Sequence, residues 1–290
     1  MSKKIWYSKT LTYFWDKYHR DYSKYKLDTE SLYVKIKNDI NAKYPVKLLP
    51  AENTREILGT ELWYSDYKKE VTHLFFIDKY LKTFLGNIKL SDLQGIKQFL
   101  NINGEEHQVV ITKKNERENI IFYNFAIHVP YEKDGYAFSL GLDQNKKLTL
   151  LFCKGETLSV IPEDYYQKLN NSSDKTELLN ATAFRIAVNT IAYMNCFPDC
   201  ILDGVPPKMH DEYNCKELKT ISLSEKISET LIENENGKMV APHFRKGYFK
   251  FLKSDFYTHK KGQIVFVCET MVNGKAKTVY TSDKLSKMEE

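Results

Sequence analysis

Residues 174–197 constrain the fold more than any other stretch of the chain. Leu178, Leu179, Ala181, Ala183, Phe184, Ile186, Ala187, Val188, Ile191, Ala192 and Met194 would occupy nearly every side of a helix. A helix that is apolar all round must be buried against several neighbours. Asp174 and Glu177 have the spacing of a capping box, which fixes the start, and Pro198 fixes the end. Arg185 falls in the middle. A guanidinium at a buried position needs a carboxylate or several carbonyls, so a structural pairing is the plainer expectation and a ligand contact the sharper one. At 290 residues the chain can enclose one large core around such a helix, or two modest ones.

Upstream, residues 1–104 read as a helical, aromatic-rich region. Trp15, Tyr18, Tyr22 and Tyr25 follow helical spacing, and their stripe is expected to face a core. Asp28 reads as the N-cap of a helix with Leu32, Tyr33, Ile36 and Ile40 on one face, stopping before Pro45. A stronger helix is expected from about Tyr67 to Leu85, with Val71, Leu74, Phe75, Leu81 and Phe84 inward and Gly86 as its stop. A short one over Ser91–Leu100 ends at Asn101–Gly104.

The period then changes to two. Residues 107–154 read as an antiparallel meander, with Asn119, Ile121, Tyr123, Phe125, Ile127 and Val129 on one strand face, Tyr136, Phe138, Leu140 and Leu142 on the next, and Leu148, Leu150 and Phe152 on a third. Asp143–Lys146 and Lys133–Gly135 supply turn residues. A short strand is expected near Thr220–Leu223, and residues 242–252 and 263–272 should pair around a loop. The expected class is α+β: a helical N-terminal region, then residues 105–290 as a mainly antiparallel sheet with one buried helix and a basic C-terminal hairpin. One domain or two would both satisfy this pattern.

Hydrophobic residues make up 42% of the chain and charged ones 28%, the balance of an ordinary globular protein. No window approaches 18 consecutive apolar residues, so no membrane helix is expected. The first residues lack the apolar core of a signal peptide. The expectation is a cytoplasmic protein whose five cysteines, at 153, 196, 200, 215 and 268, stay reduced. The net charge of +5 permits an anionic partner without requiring one.

The segment with the strongest functional flavour lies near the C-terminus. Residues 241–261 contain six Lys or Arg, two His and one acid, threaded through six aromatics. Strand alternation would put His243, Arg245, Gly247, Phe249 and Phe251 on one face and Phe244, Lys246, Tyr248, Lys250 and Leu252 on the other, so neither face is purely apolar. Arg and Lys neutralise phosphates, and exposed aromatics stack on bases. Arg245, Lys246, Lys250, Lys253, His259, Lys260 and Lys261 are the nucleic-acid-binding candidates. Gly247 would allow close backbone approach. The blander account is an edge strand protected by cations.

The run Pro242–Lys250, the strand Gln263–Val267 and Val272-Asn273-Gly274 together resemble the C-terminus of uncharacterised proteins of bacteria, phages and plasmids. Those proteins share a pattern of roughly Pro-His-x-Arg-x-Gly-His-x-Arg, a turn, an apolar strand and Asn-Gly. The helix before Pro198-Asp199 is also similar. The resemblance spans about the last 120 residues and implies a phage or mobile-element context. Tyr248 and Lys250 stand where that pattern has a second His and a second Arg, which removes an imidazole at 248 from any shared role.

Other constellations carry less. Pro198-Asp199 followed by Glu217-Leu218-Lys219 has the order of metal-dependent Pro-Asp…Glu-x-Lys nucleases, which would need the Glu-x-Lys on an apolar strand. Cys196, Cys200, His210 and Cys215 could supply four zinc ligands, although their spacing is not that of a standard knuckle. Cys153 and Cys268 fall in apolar strands and read as packing. The acidic pairs Glu105-Glu106, Glu163-Asp164 and Asp211-Glu212 read as solvated loops. There is no phosphate-binding glycine loop, dinucleotide fingerprint, nucleophile elbow or His-Glu-x-x-His. No cofactor or metal is therefore expected.

Three functions fit these residues. The first is a phage- or mobile-element-type binding protein acting on nucleic acid, or on a host complex that handles it, through residues 243–261. The second is an enzyme, a nuclease or a toxin-like transferase acting on RNA or nucleotides, with His243, Arg245 and Tyr248 as catalytic candidates. The third is an interaction module that inhibits a bacterial defence system through the N-terminal helices.

Overall fold

The computed structural model describes residues 35, 73–88, 92–111, 116–130, 132, 135–154, 157–206, 218–224, 247–272 and 275–280. Its elements run β1 (His73–Ile77), α1 (Lys79–Asn87), α2 (Gln94–Asn103), β2 (Glu105–Ile111), β3 (Glu116–His128), β4 (Tyr136–Leu142), β5 (Leu148–Lys154), β6 (Thr157–Pro162), α3 (Glu163–Asn170), α4 (Lys175–Cys196), a 3-10 turn (Pro198–Cys200), β7 (Ile201–Asp203), β8 (Leu218–Ile221), β9 (Gly247–Phe251), β10 (Ile264–Val272) and β11 (Lys275–Tyr280). The fold is α+β.

An eight-stranded mixed sheet has the order β6-β5-β4-β3-β1-β8-β7, with β2 also on β3. Strands β2 to β5 form the antiparallel meander that the period-two pattern predicts, and β6 extends it by one strand. β3 is long because one of its edges is shared. Residues 116–122 pair with β2, and residues 125–128 pair with β1. A separate antiparallel sheet, β11-β10-β9, is the expected C-terminal hairpin with one more strand.

The sequence reading of a helix over 67–85 is overturned at residues 73–77 and holds over 79–85. Residues 73–77 are strand, and the helix begins only after Asp78, whose carboxylate accepts from Leu81 N at 2.7 Å. β1 runs parallel to both β3 and β8. A strand between two neighbours and covered on both faces reads as a continuous apolar run rather than an alternation, and Leu74 to Ile77 are none of them more than 4% exposed. Gly86 is not a stop signal. It lies inside α1, where an added Cβ would meet Thr182 Cγ2 of α4 at 3.2 Å. Apart from Lys35, which is helical, the aromatic helices expected over residues 1–40 lie outside the described residues.

One face of the large sheet packs on α1, α2, α3 and α4. It presents Tyr123, Phe125, Ile127 and Val129 of β3 and its flank, Tyr136, Phe138, Leu140 and Leu142 of β4, and Leu148, Leu150 and Phe152 of β5, as alternation picks out; of the same expected row, Ile121 is half-buried against the core and Asn119 is exposed. The other face is also closed: Phe76, Ile120, Phe122, Ala126, Ala137 and Leu151 are buried. The helix α4 is buried along its second half and capped by Asp174, which accepts from the amides of Thr176 and Glu177.

Half-buried Arg185 and buried Asn189 of this helix both find their partners at the end of α1. The last carbonyls of a helix have no partner within it. Arg185 Nε donates to Gly86 O at 2.6 Å, and Asn189 Nδ2 donates to Leu85 O at 2.8 Å and Ile88 O at 3.4 Å. The guanidinium therefore serves the C-terminus of α1, with further contacts to Tyr166 and Thr182 hydroxyls. Glu163 and Asp164 are not a solvated loop either. They open α3, where Glu163 sits 2.8 Å from Lys97 Nζ and accepts from Leu148 N at 3.0 Å.

The C-terminal hairpin and an adjoining groove

Residues 247–251 alternate in the predicted sense, but the two faces differ in kind. Phe249 and its cross-strand neighbour Phe266 point into the main core, their rings 5.4 Å apart. Phe266 also meets the rings of Phe84 and Phe197. This face is therefore closed to any base. Gly247 is required by the protein itself, since a Cβ there would fall 2.3 Å from Phe266 Cζ; the space it frees is already filled. Gly95 of α2 has the same role, with Ile264 Cγ1 at 2.5 Å from an added Cβ.

The other face carries Tyr248 and Lys250. Tyr248 packs on Leu252, Val265 and Val267. That apolar setting gives its hydroxyl no described acid–base partner, and the other catalytic candidates, His243 and Arg245, lie outside the described residues together with Lys246. Lys250 Nζ stands 3.4 Å from Tyr257 Oη and 5.6 Å from the centre of its ring, a cation–π distance.

The loop from Lys253 to Gly262 joins β9 to β10. Leu252 and Gln263 pair across its base, and Gly262 takes a positive φ of 84° as it turns back. Lys253 Nζ lies 2.7 Å from Asp92, and Lys261 pairs with Asp255. Both lysine side chains remain more than half exposed, and His259 is exposed. Lys260 is different: only 6% of it is accessible, which removes it from the binding candidates. Between these cations stands Phe256, 85% exposed, edge-on to Tyr257 at 5.4 Å. The sequence reading counted Phe256 among the aromatics without singling it out. Its signal is an aromatic set between Ser254-Asp255 and Tyr257-Thr258, in a stretch with no apolar period.

A groove of about 930 Å³ opens beside this loop. It is bounded by the last turns of α2 and α4, the turn Pro198–Cys200, residues 222–224 and residues 262–264. Buried Tyr193 ties these walls together. Its hydroxyl donates to Ser222 O at 2.8 Å and accepts from Ser224 N at 2.7 Å. Burial pushes this phenol well above its ordinary range.

Of the four zinc candidates, Cys196 has its thiol pushed up by burial and donating to Ile264 O at 3.1 Å. His210 and Cys215 lie outside the described residues, among which no cluster of three potential ligands occurs. Of the nuclease pattern, Lys219 does lie on a strand, β8, but its ammonium faces Asp203 at 3.9 Å, and Glu217 lies outside the described residues. The histidines at 73 and 128 sit against the rings of Tyr123 and Phe76, and His107 lies 3.6 Å from Glu105.

No helix among the described residues is long and apolar enough to cross a membrane. Comparison of the chain with protein-family models, with curated proteins and with solved structures returns no match.

Proposed function

We propose that the chain is a mobile-element-type binding protein that engages single-stranded nucleic acid, or a host complex that presents it, through the loop 253–261. The observation that carries this reading is Phe256, 85% exposed on a loop that also offers Lys253, His259 and Lys261 to solvent. An exposed phenylalanine in a polar loop gives up burial that the core could have supplied. On an unpaired base the same ring is worth about 1–3 kcal/mol of stacking, and each neighbouring lysine neutralises a phosphate. Asp92 and Asp255 temper the two lysines without masking them, so affinity should be moderate and salt-sensitive.

The test is fluorescence anisotropy with labelled single-stranded RNA and DNA oligonucleotides at two or more salt concentrations. Phe256→Ala should weaken binding by about 5- to 100-fold. Lys261→Ala should lower the slope of log K against log salt by roughly 0.7. Equal binding by both variants and the unaltered chain would remove the loop from the function.

A further inference from the structure

The groove differs electrostatically from the loop beside it. The residues Ile102 and Asn103 end α2, and Asn195 and Cys196 end α4; all four line the groove. Two helix C-termini therefore converge on one space. Each carries about half a negative charge on its last carbonyls, and neither helix has a basic residue in its last turn. The contrast with α1 is instructive, because Arg185 is sent across from α4 to meet the carbonyl of Gly86.

The groove side chains add to the same sign. Asn103 and Asn195 donate their amides to carbonyls of their own helices, Phe99 O at 3.0 Å and Ile191 O at 2.8 Å. Each side chain keeps an acceptor oxygen, beside one further N–H. Asp199 supplies an exposed carboxylate. Among the described lining residues there is no Lys, Arg or His. Acceptors and negative charge thus meet with no cation from the described chain, while Phe99 and Ile264 give apolar wall between them.

We propose that this groove binds an aliphatic ammonium group, with the charge at the helix ends and Asp199 and the alkyl stem along Phe99 and Ile264. The group would come from a free diamine or polyamine, or from a lysine side chain. A bare metal ion would leave the apolar wall and most of a 930 Å³ space unused.

The experiment is calorimetric titration of the full chain with cadaverine, spermidine and Nα-acetyl-lysine methylamide, alongside 1-pentanol and calcium chloride. Amines are expected to bind saturably and at least tenfold more tightly than 1-pentanol. Asp199→Asn should weaken amine binding about fivefold, the scale of one charge at a helix terminus. Asn195→Lys places a tethered ammonium at the end of α4 and should abolish binding without lowering Tm. Binding of cadaverine or spermidine alone would assign a free amine, and binding of the lysine derivative alone a protein side chain. The proposal is overturned if 1-pentanol matches cadaverine, if calcium binds and amines do not, or if neither variant alters amine affinity. Because Asp199 and Asn195 lie outside the loop 253–261, failure here leaves the nucleic-acid reading untouched.

Discussion

Substitution of Gly247 by alanine would measure how closely the small sheet is keyed to the helical layer. The new methyl would stand 2.3 Å from Cζ and 2.8 Å from Cε2 of Phe266, where ordinary contacts begin at 3.4 Å. The ring must therefore retreat by about 1 Å. It has little room to do so. Phe266 is 3% exposed and stands 5.6 Å from the ring of Phe84, 5.4 Å from Phe249 and 6.3 Å from Phe197. Overpacking of this kind costs about 1–3 kcal/mol, and alanine recovers roughly 0.5–1 kcal/mol over glycine in a regular element. The net expectation is a loss of about 1–2 kcal/mol. Urea unfolding followed by tryptophan fluorescence would read it as a lower midpoint at constant slope. Phe266→Leu removes the Cζ that clashes, so in that background Gly247→Ala should cost little, giving a favourable coupling of about 1 kcal/mol in the double-mutant cycle. Stability unchanged by Gly247→Ala, or strictly additive effects of the pair, would refute the steric argument.

Two further expectations rest on buried polar groups. Burial raises the Tyr123 phenol to about 12 and moves Tyr193 and Cys196 in the same direction. All three are neutral acids whose folded values lie above their unfolded ones, so their stabilisation is complete below about pH 9 and is lost as pH rises through the folded values. Tm should fall between pH 9 and 12, and Tyr123→Phe should remove roughly 2 kcal/mol of that dependence; a flat profile would contradict the burial of these groups. Arg185→Met withdraws the donor to the Gly86 carbonyl and should cost about 1–3 kcal/mol by denaturant melts, with Arg185→Lys recovering part of it.

What the sequence disclosed depended on how many neighbours each element has. The faces of β3, β4 and β5 were legible because a distinct row of large side chains from each strand faces the helices. The α4 helix was legible because both its cap and its all-round apolar surface are local. β1 was misread because Leu74, Phe75, Leu81 and Phe84 fit helical spacing, although the N-cap at Asp78 divides them into a strand and a helix. The hairpin of β9 and β10 was foreseen, but not which of its faces would be core, since that is decided by Phe84 and Phe197 far away in the chain. The groove was invisible for the same reason. Asn103, Asn195 and Gln263 are ordinary residues until three separate segments end at one place.

The position of β1 also has a consequence in time. Its two partners in the sheet are β3 and β8, and the second of these ends at Ile221. A chain emerging from the ribosome can zip β3 to β6 as successive hairpins, each closing a short loop. β1, made first among these strands, can dock on β3 but then holds an open edge while some 90 residues more are synthesised. An unpaired apolar edge is a template for foreign strands. An interior strand of the finished sheet is thus the one that must wait longest, and the late arrival of Leu218–Ile221 is the step that seals it.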